Sequence, residues 1–200
     1  MKIRLSKRIP LAKPGLIFIL PFLCLGIGTA IVNLWLFSII FLLLTCLLIF
    51  FFRDPERKVI AKSDSVLSPA DGKIIEIKKD EGGQKVSIFL SLLDVHIVRS
   101  PIEGVIQAVE KKSGHKLPAM KSKASELNQA QLIIIQNQDM KIKLKMIVGL
   151  AARRIYCFVK PGENVLAGSR IGLMAFGSRV EIIIPNNYQL QVRLCLLYTS

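Results

Sequence analysis

Residues 15–52 carry no charged side chain. As a single helix, at ~1.5 Å per residue, the run would extend roughly 57 Å, nearly two hydrocarbon thicknesses. It is therefore expected as two short spans, about residues 16–31 and 34–52, turning near Thr29 to Asn33. Lys2, Arg4, Lys7, Arg8 and Lys13 flank the entry, and Arg53, Arg57 and Lys58 flank the exit. Basic residues at both ends predict a hairpin with both ends in the cytoplasm. A cleaved signal peptide is shorter than this. A single tilted span is the competing arrangement, and would put the rest of the chain across the membrane from the N-terminus.

A net charge of +14 beside 52% hydrophobic residues points the same way, to an anionic membrane surface. Nucleic acid, the other partner of basic chains, is not expected. The lysines are scattered through strand-like runs with few aromatics between them, and no nucleic-acid motif is present. Cys24, Cys46, Cys157 and Cys195 form no metal-ligand spacing and read as reduced intracellular thiols.

After Arg53 the pattern changes to short β-like runs: KIIEIKK, KVSIFLS, GVIQAVEKK, QLIIIQ, KIKLKMIVG, RRIYCFV, RIGLM and RVEIIIP. In KIKLKM the alternation is strict, lysines on one face and Ile142, Leu144 and Met146 on the other. QNQD, residues 136–139, is the expected hairpin turn before it, and residues 113–129 read as a loop with one helical turn. In RVEIIIP, Arg179, Glu181 and Ile183 should share one face, and Val180, Ile182 and Ile184 the other. The expected fold is mainly β. A sandwich- or barrel-like domain over residues 59–200 succeeds a helical membrane hairpin over residues 1–58.

Four stretches carry chemistry together: FFRDPER (51–57), SPADG (68–72), DVHIVRSPIEG (94–104) and RRIYCFVKPGENVLAGSRIGLMAFGSR (153–179). In this order and spacing they resemble the short form of phosphatidylserine decarboxylase, a pyruvoyl-dependent family, over about residues 14–188. The resemblance implies self-cleavage between Gly177 and Ser178. The Ser178 hydroxyl attacks the Gly177 carbonyl and the amide becomes an ester. β-Elimination then leaves dehydroalanine, which hydrolyses to a pyruvoyl group and ammonia. Gly177 has no Cβ to shield its carbonyl, and a neutral serine hydroxyl needs a base. The implied base is His96. His115, in SGHKLP, reads as solvated. Asp71 is the implied partner that orients His96, with Asp94 the runner-up because it lies two residues away on the same strand face.

The resemblance further implies phosphatidylserine as substrate, phosphatidylethanolamine as product, and His96 as the acid that returns a proton to the substrate carbon. The covalent pyruvoyl group derived from Ser178 takes up electrons as carbon dioxide leaves. The two cleaved chains stay associated, at the cytoplasmic face of the cell membrane. Longer family members carry a second histidine where this chain has Arg99. Either His96 serves both processing and turnover, or processing relies on other groups. KASELNQ (123–129) resembles the family's substrate-side segment, with Gln129 where an acid is usual. Lysines of 141–145 and 111–123 either attract phosphate and bilayer or form a solvated face.

VKPGENVLAG also resembles the turn of lipoyl- and biotinyl-type sandwich domains, which would make the chain a membrane-anchored adaptor. That reading lacks the lysine such modules display near position 175. The final QVRLCLLYTS lacks the glycine turn and alternation of the family's closing strand, so the end is expected to be truncated or foreign.

Overall fold

The computed structural model describes residues 11–57, 65–80, 82–115, 117–118, 124–138, 140–149, 154–176, 178–191 and 197–198. The chain divides into two compact units, residues 1–56 and 57–200.

The first unit is helical. A 3-10 turn at Lys13–Gly15 leads into α1 (Leu16–Ile31), and α2 (Trp35–Phe51) comes next. Asn33, in the left-handed region at φ 59°, makes the reversal between them. The helices lie close where Gly26 faces Leu42, and the Ser38 hydroxyl donates to the Gly26 carbonyl at 2.8 Å. The Ala12 amide donates to the Phe52 carbonyl at 2.8 Å, so the two ends of the hairpin meet. The reversal thus falls at the end of the expected turn. One helical stretch, Lys13–Ile31, is long and apolar enough to cross a membrane, and the shorter Trp35–Phe51 is also apolar. Large apolar side chains face outward within this unit, among them Ile31, Leu36 and Leu43.

The second unit is mainly β, as expected. Its strands are β1 (Gly72–Asp80), β2 (Gly83–Leu90), β3 (Ile97–Arg99), β4 (Gly104–Lys112), β5 (Ala130–Gln136), β6 (Lys141–Val148), β7 (Arg154–Cys157), β8 (Asn164–Val165), β9 (Arg170–Ala175), β10 (Ser178–Ile184) and β11 (Leu197–Tyr198). One helical turn, α3 (Ala124–Leu127), lies in the loop before β5. Eight strands form an antiparallel sheet in the order β11-β1-β2-β10-β6-β5-β4-β8, and β3-β9-β7 form a second. The large sheet ends in two edge strands and does not close into a barrel. Leu197 and Tyr198 pair with Lys73 and Gly72 and cover the start of β1.

The core lies between the sheets. Ile133, Ile135, Leu144, Met146 and Val180 from the large sheet are fully buried, with Ile171 and Met174 from the small one. A Cβ on Gly172 would sit 2.9 Å from the Met146 sulfur, so glycine lets the two layers approach there. The alternation of KIKLKM holds, with Ile142, Leu144 and Met146 buried and Lys141 and Lys143 exposed. The β5–β6 turn is closed by the Asn137 amide on the Met140 carbonyl at 3.0 Å, with the Met140 amide on Asn137 Oδ1 at 2.9 Å. Asp139, the last residue of the expected turn, lies outside the described residues.

Candidate active site

Ser178 opens β10, which lies between β2 and β6. Its Cα partners are Leu90 on one side and Val148 on the other. Gly177 is outside the described residues. Phe176, just before it, has φ 65°. For a bulky non-glycine residue that conformation costs on the order of 1–3 kcal/mol and persists only where its surroundings hold it. Here the ends of β9 and β10 are fixed within two residues on either side.

His96 is fully buried beside this segment. The strand register pairs Ile97 with Leu173, and the Met174 amide donates to the His96 carbonyl at 3.1 Å. The imidazole is positioned locally. Asp94 Oδ2 accepts from the Ser91 amide and hydroxyl, each at 2.7 Å, and closes a turn. The Asp94 carbonyl then lies 2.9 Å from His96 Nδ1. A carbonyl only accepts, so in the neutral ring Nδ1 carries the proton and Nε2 the lone pair. Asp94, the runner-up, thus meets His96 through its backbone while its carboxylate serves the turn.

Asp71 ends the SPADG turn. The Ser68 hydroxyl donates to the Ala70 carbonyl at 2.9 Å, and the Arg99 amide ties Pro69 to β3 at 2.8 Å. Gly72 comes next at φ 139°, where a Cβ would collide with the Phe89 carbonyl oxygen. The turn therefore brings Asp71 to the end of β2 whose last residue, Leu90, partners Ser178. Asp71 is buried, and its carboxylate accepts from Arg57 Nη2 at 2.7 Å. The Arg99 guanidinium donates to the Gly168 carbonyl at 3.0 Å, in the turn before β9. His115 is exposed, as expected, and is held by its backbone to Leu127 and Gln129. Asn128 is fully buried, and its amide donates to the carbonyls of Val148 and Leu117, each at 2.7 Å.

A charged network that the motifs did not announce adjoins Ser178. Arg179 is 1% exposed. Its Nη2 meets the Glu76 carboxylate, Glu181 Oε1 at 2.8 Å and the Ser87 hydroxyl at 2.8 Å. Glu181 Oε2 accepts from the Ser125 hydroxyl at 2.8 Å, and Lys145 donates to the Ser125 carbonyl. The expected alternation of β10 holds, yet Arg179 and Glu181 are as buried as Val180 and Ile182 opposite. Burial pushes the Glu76 carboxyl up, but a hydrogen bond from Lys78 and the charges of Lys85 and Arg179 prevail and lower its pKa to about 2. Burial lowers the Lys145 pKa, against the pull of Glu181.

No metal-holding group of His, Cys, Asp or Glu occurs among the described residues. The phosphatidylserine decarboxylase family profile matches residues 44–195. A phosphatidylserine decarboxylase proenzyme of Ehrlichia chaffeensis is 43% identical over 190 residues, covering 90% of this chain and 83% of the relative. That of Carboxydothermus hydrogenoformans is 39% identical over 78% of this chain and 76% of its own length. That of Desulfotalea psychrophila is 35% identical over 94% and 92%. Family profile and relatives agree over most of the chain, and the chain belongs to the phosphatidylserine decarboxylase family.

Proposed function

We propose that this chain decarboxylates phosphatidylserine to phosphatidylethanolamine with a pyruvoyl group made by its own cleavage between Gly177 and Ser178. The observation that carries the reading is a juxtaposition. The His96 carbonyl is bonded to Met174, a few residues before the bond to be cut, and Nδ1 of the same histidine is committed to Asp94. Nε2 then serves as the base for the Ser178 hydroxyl. The left-handed backbone at Phe176 loads the same segment with strain that cleavage releases. The relatives' designation as proenzymes supports a processed chain.

The pyruvoyl group at position 178 supplies the electron sink for loss of the carboxylate. The chain's own residues do the rest. His96 takes the hydroxyl proton during processing and delivers a proton to the substrate carbon in turnover. Asp71, held by Arg57, is the charged partner at the neighbouring strand end. The β10 ladders to β2 and β6 hold the short C-terminal chain to the long one after the cut. Residues 1–58 act as the membrane anchor and 59–200 as the catalytic domain, on the cytoplasmic face. The apolar helices and the basic exit support that placement. The family matches do not favour the adaptor reading.

The test is carbon dioxide release from phosphatidylserine in mixed micelles. The parent chain should release it and Ser178→Ala should not. A folded, cleaved parent that releases none would refute the assignment.

A further inference from the structure

A polar cavity of about 310 Å³ opens at the end of the sandwich where β10 begins. Lys111, Gln129, Gln131, Arg154 and Tyr156 give it its character, and among the described residues no carboxylate lines it. Lys111 and Gln131 are cross-strand partners, and Arg154 is the partner of Ala175, near the end of β9. The Val148 amide donates to the Gln129 carbonyl at 3.0 Å, and Val148 partners Ser178. The cavity therefore begins two strand spacings, roughly 10 Å, from backbone position 178.

Among the described residues its cations and its phenol have no protein partner. Neither Lys111 nor Arg154 forms an ion pair among the described residues. The Tyr156 hydroxyl is buried and makes no hydrogen bond among the described residues. Gln131, only 9% exposed, lines the same space. A buried hydroxyl left without a partner destabilises the fold, and a ligand able to accept its proton removes that cost. Two cations, two amides and a phenol with no acid among them form a receptor for a tetrahedral oxyanion, and arginine suits phosphate in particular.

The geometry points to this cavity as the seat of the substrate's phosphodiester, which rests on the decarboxylase reading above. In phosphatidylserine a few bonds separate the amine from the phosphorus. A headgroup with its amine at position 178 can lay its phosphate toward Gln129, Gln131 and Arg154. Lys111 and Tyr156 then close on the same oxygens. Arg154, Lys111 and Tyr156 thus select serine carried on a phosphodiester over free serine.

The experiment measures carbon dioxide release against the mole fraction of phosphatidylserine in neutral detergent micelles. The full chain is compared with Arg154→Gln, Lys111→Gln, Tyr156→Phe and Lys160→Gln. Arg154→Gln should raise KM ~10-fold or more with kcat within about twofold, the size of a lost charged hydrogen bond. Lys111→Gln should behave alike, and Tyr156→Phe should show a smaller rise. Lys160 is exposed in the turn before β8 and controls for bulk charge, so its KM should not move. Arg154→Lys keeps the charge and should recover part of the loss, which separates the site from misfolding. Inorganic phosphate should compete with lipid in the parent and less in Arg154→Gln. If phosphate competes while the lipid KM is unchanged in Arg154→Gln, the cavity holds free phosphate and the headgroup assignment is overturned. An equal KM rise in Lys160→Gln would also overturn it. A parent that releases no carbon dioxide removes the decarboxylase reading, and this proposal with it. An active parent with indifferent variants removes this proposal alone.

Discussion

A histidine works as a base when one ring nitrogen is committed and the other keeps its lone pair. The Asp94 carbonyl commits Nδ1 of His96, and the Asp94 carboxylate holds the turn that aims that carbonyl. His96→Ala is expected to slow both self-cleavage and decarboxylation by ~10²–10⁴-fold. The two rates are read from a denaturing gel and from carbon dioxide release on the same preparation. Parent-like cleavage and turnover in that variant would make His96 a structural residue. Arg57→Gln removes an ion pair from the buried Asp71 carboxylate. Self-cleavage should slow by ~10-fold or more, with partial recovery in Arg57→Lys. An unchanged cleavage rate would leave Arg57 no part in the site. The motif DVHIVRSP marked His96 in the sequence. The role of Asp94 was less legible, because it works through a carbonyl that every residue possesses. Arg57 lay in a motif at the helix exit, but nothing in its spacing announced a partner fourteen residues on.

Strand by strand, the alternation in KIKLKM and RVEIIIP was enough to place side chains on faces. It was not enough to order the strands. Inserting β10 between β2 and β6 joins residues far apart in sequence, so that Glu181 lies opposite both Ser87 and Lys145. That long-range pairing creates the Arg179 network, and no local pattern encodes it. The short β8 and β11 also escaped the sequence, since two residues give alternation too little length to register, and the strand expected at Asp94 and His96 starts only at Ile97 because Asp94 closes a turn. The network predicts a pH dependence. Glu76 has its pKa lowered, so its contribution is present above the ordinary value of 4.5 and is lost as pH falls through about 2. The shift corresponds to at most about 3 kcal/mol, less what solvent screens at the exposed Lys78. Glu76→Gln should therefore lower the thermal midpoint at pH 7, and the gap to the parent should close as pH falls from 4.5 toward 2. A gap that stays constant with pH would mean that the Glu76 charge contributes nothing to stability.

For the whole molecule, the run of uncharged residues foretold apolar helices, and the β-like runs foretold a mainly β fold. Membrane orientation is set by charge rather than by packing. The proposed placement of both hairpin ends on the cytoplasmic side predicts that a cysteine at the exposed Lys160, in a chain with its native cysteines replaced, resists an impermeant thiol reagent in intact cells. It should react once the cells are opened. Labelling in intact cells would replace the hairpin by a single span. Everything proposed for catalysis, however, depends on the fate of one peptide bond. Mass spectrometry of the purified full chain reads that fate. The expected products are a long chain ending at Gly177 and a short chain of residues 178–200 that begins with a pyruvoyl group, while Ser178→Ala remains one chain. A folded parent that stays whole, or a Ser178→Ala variant that is cut at the same bond, would contradict self-cleavage by Ser178.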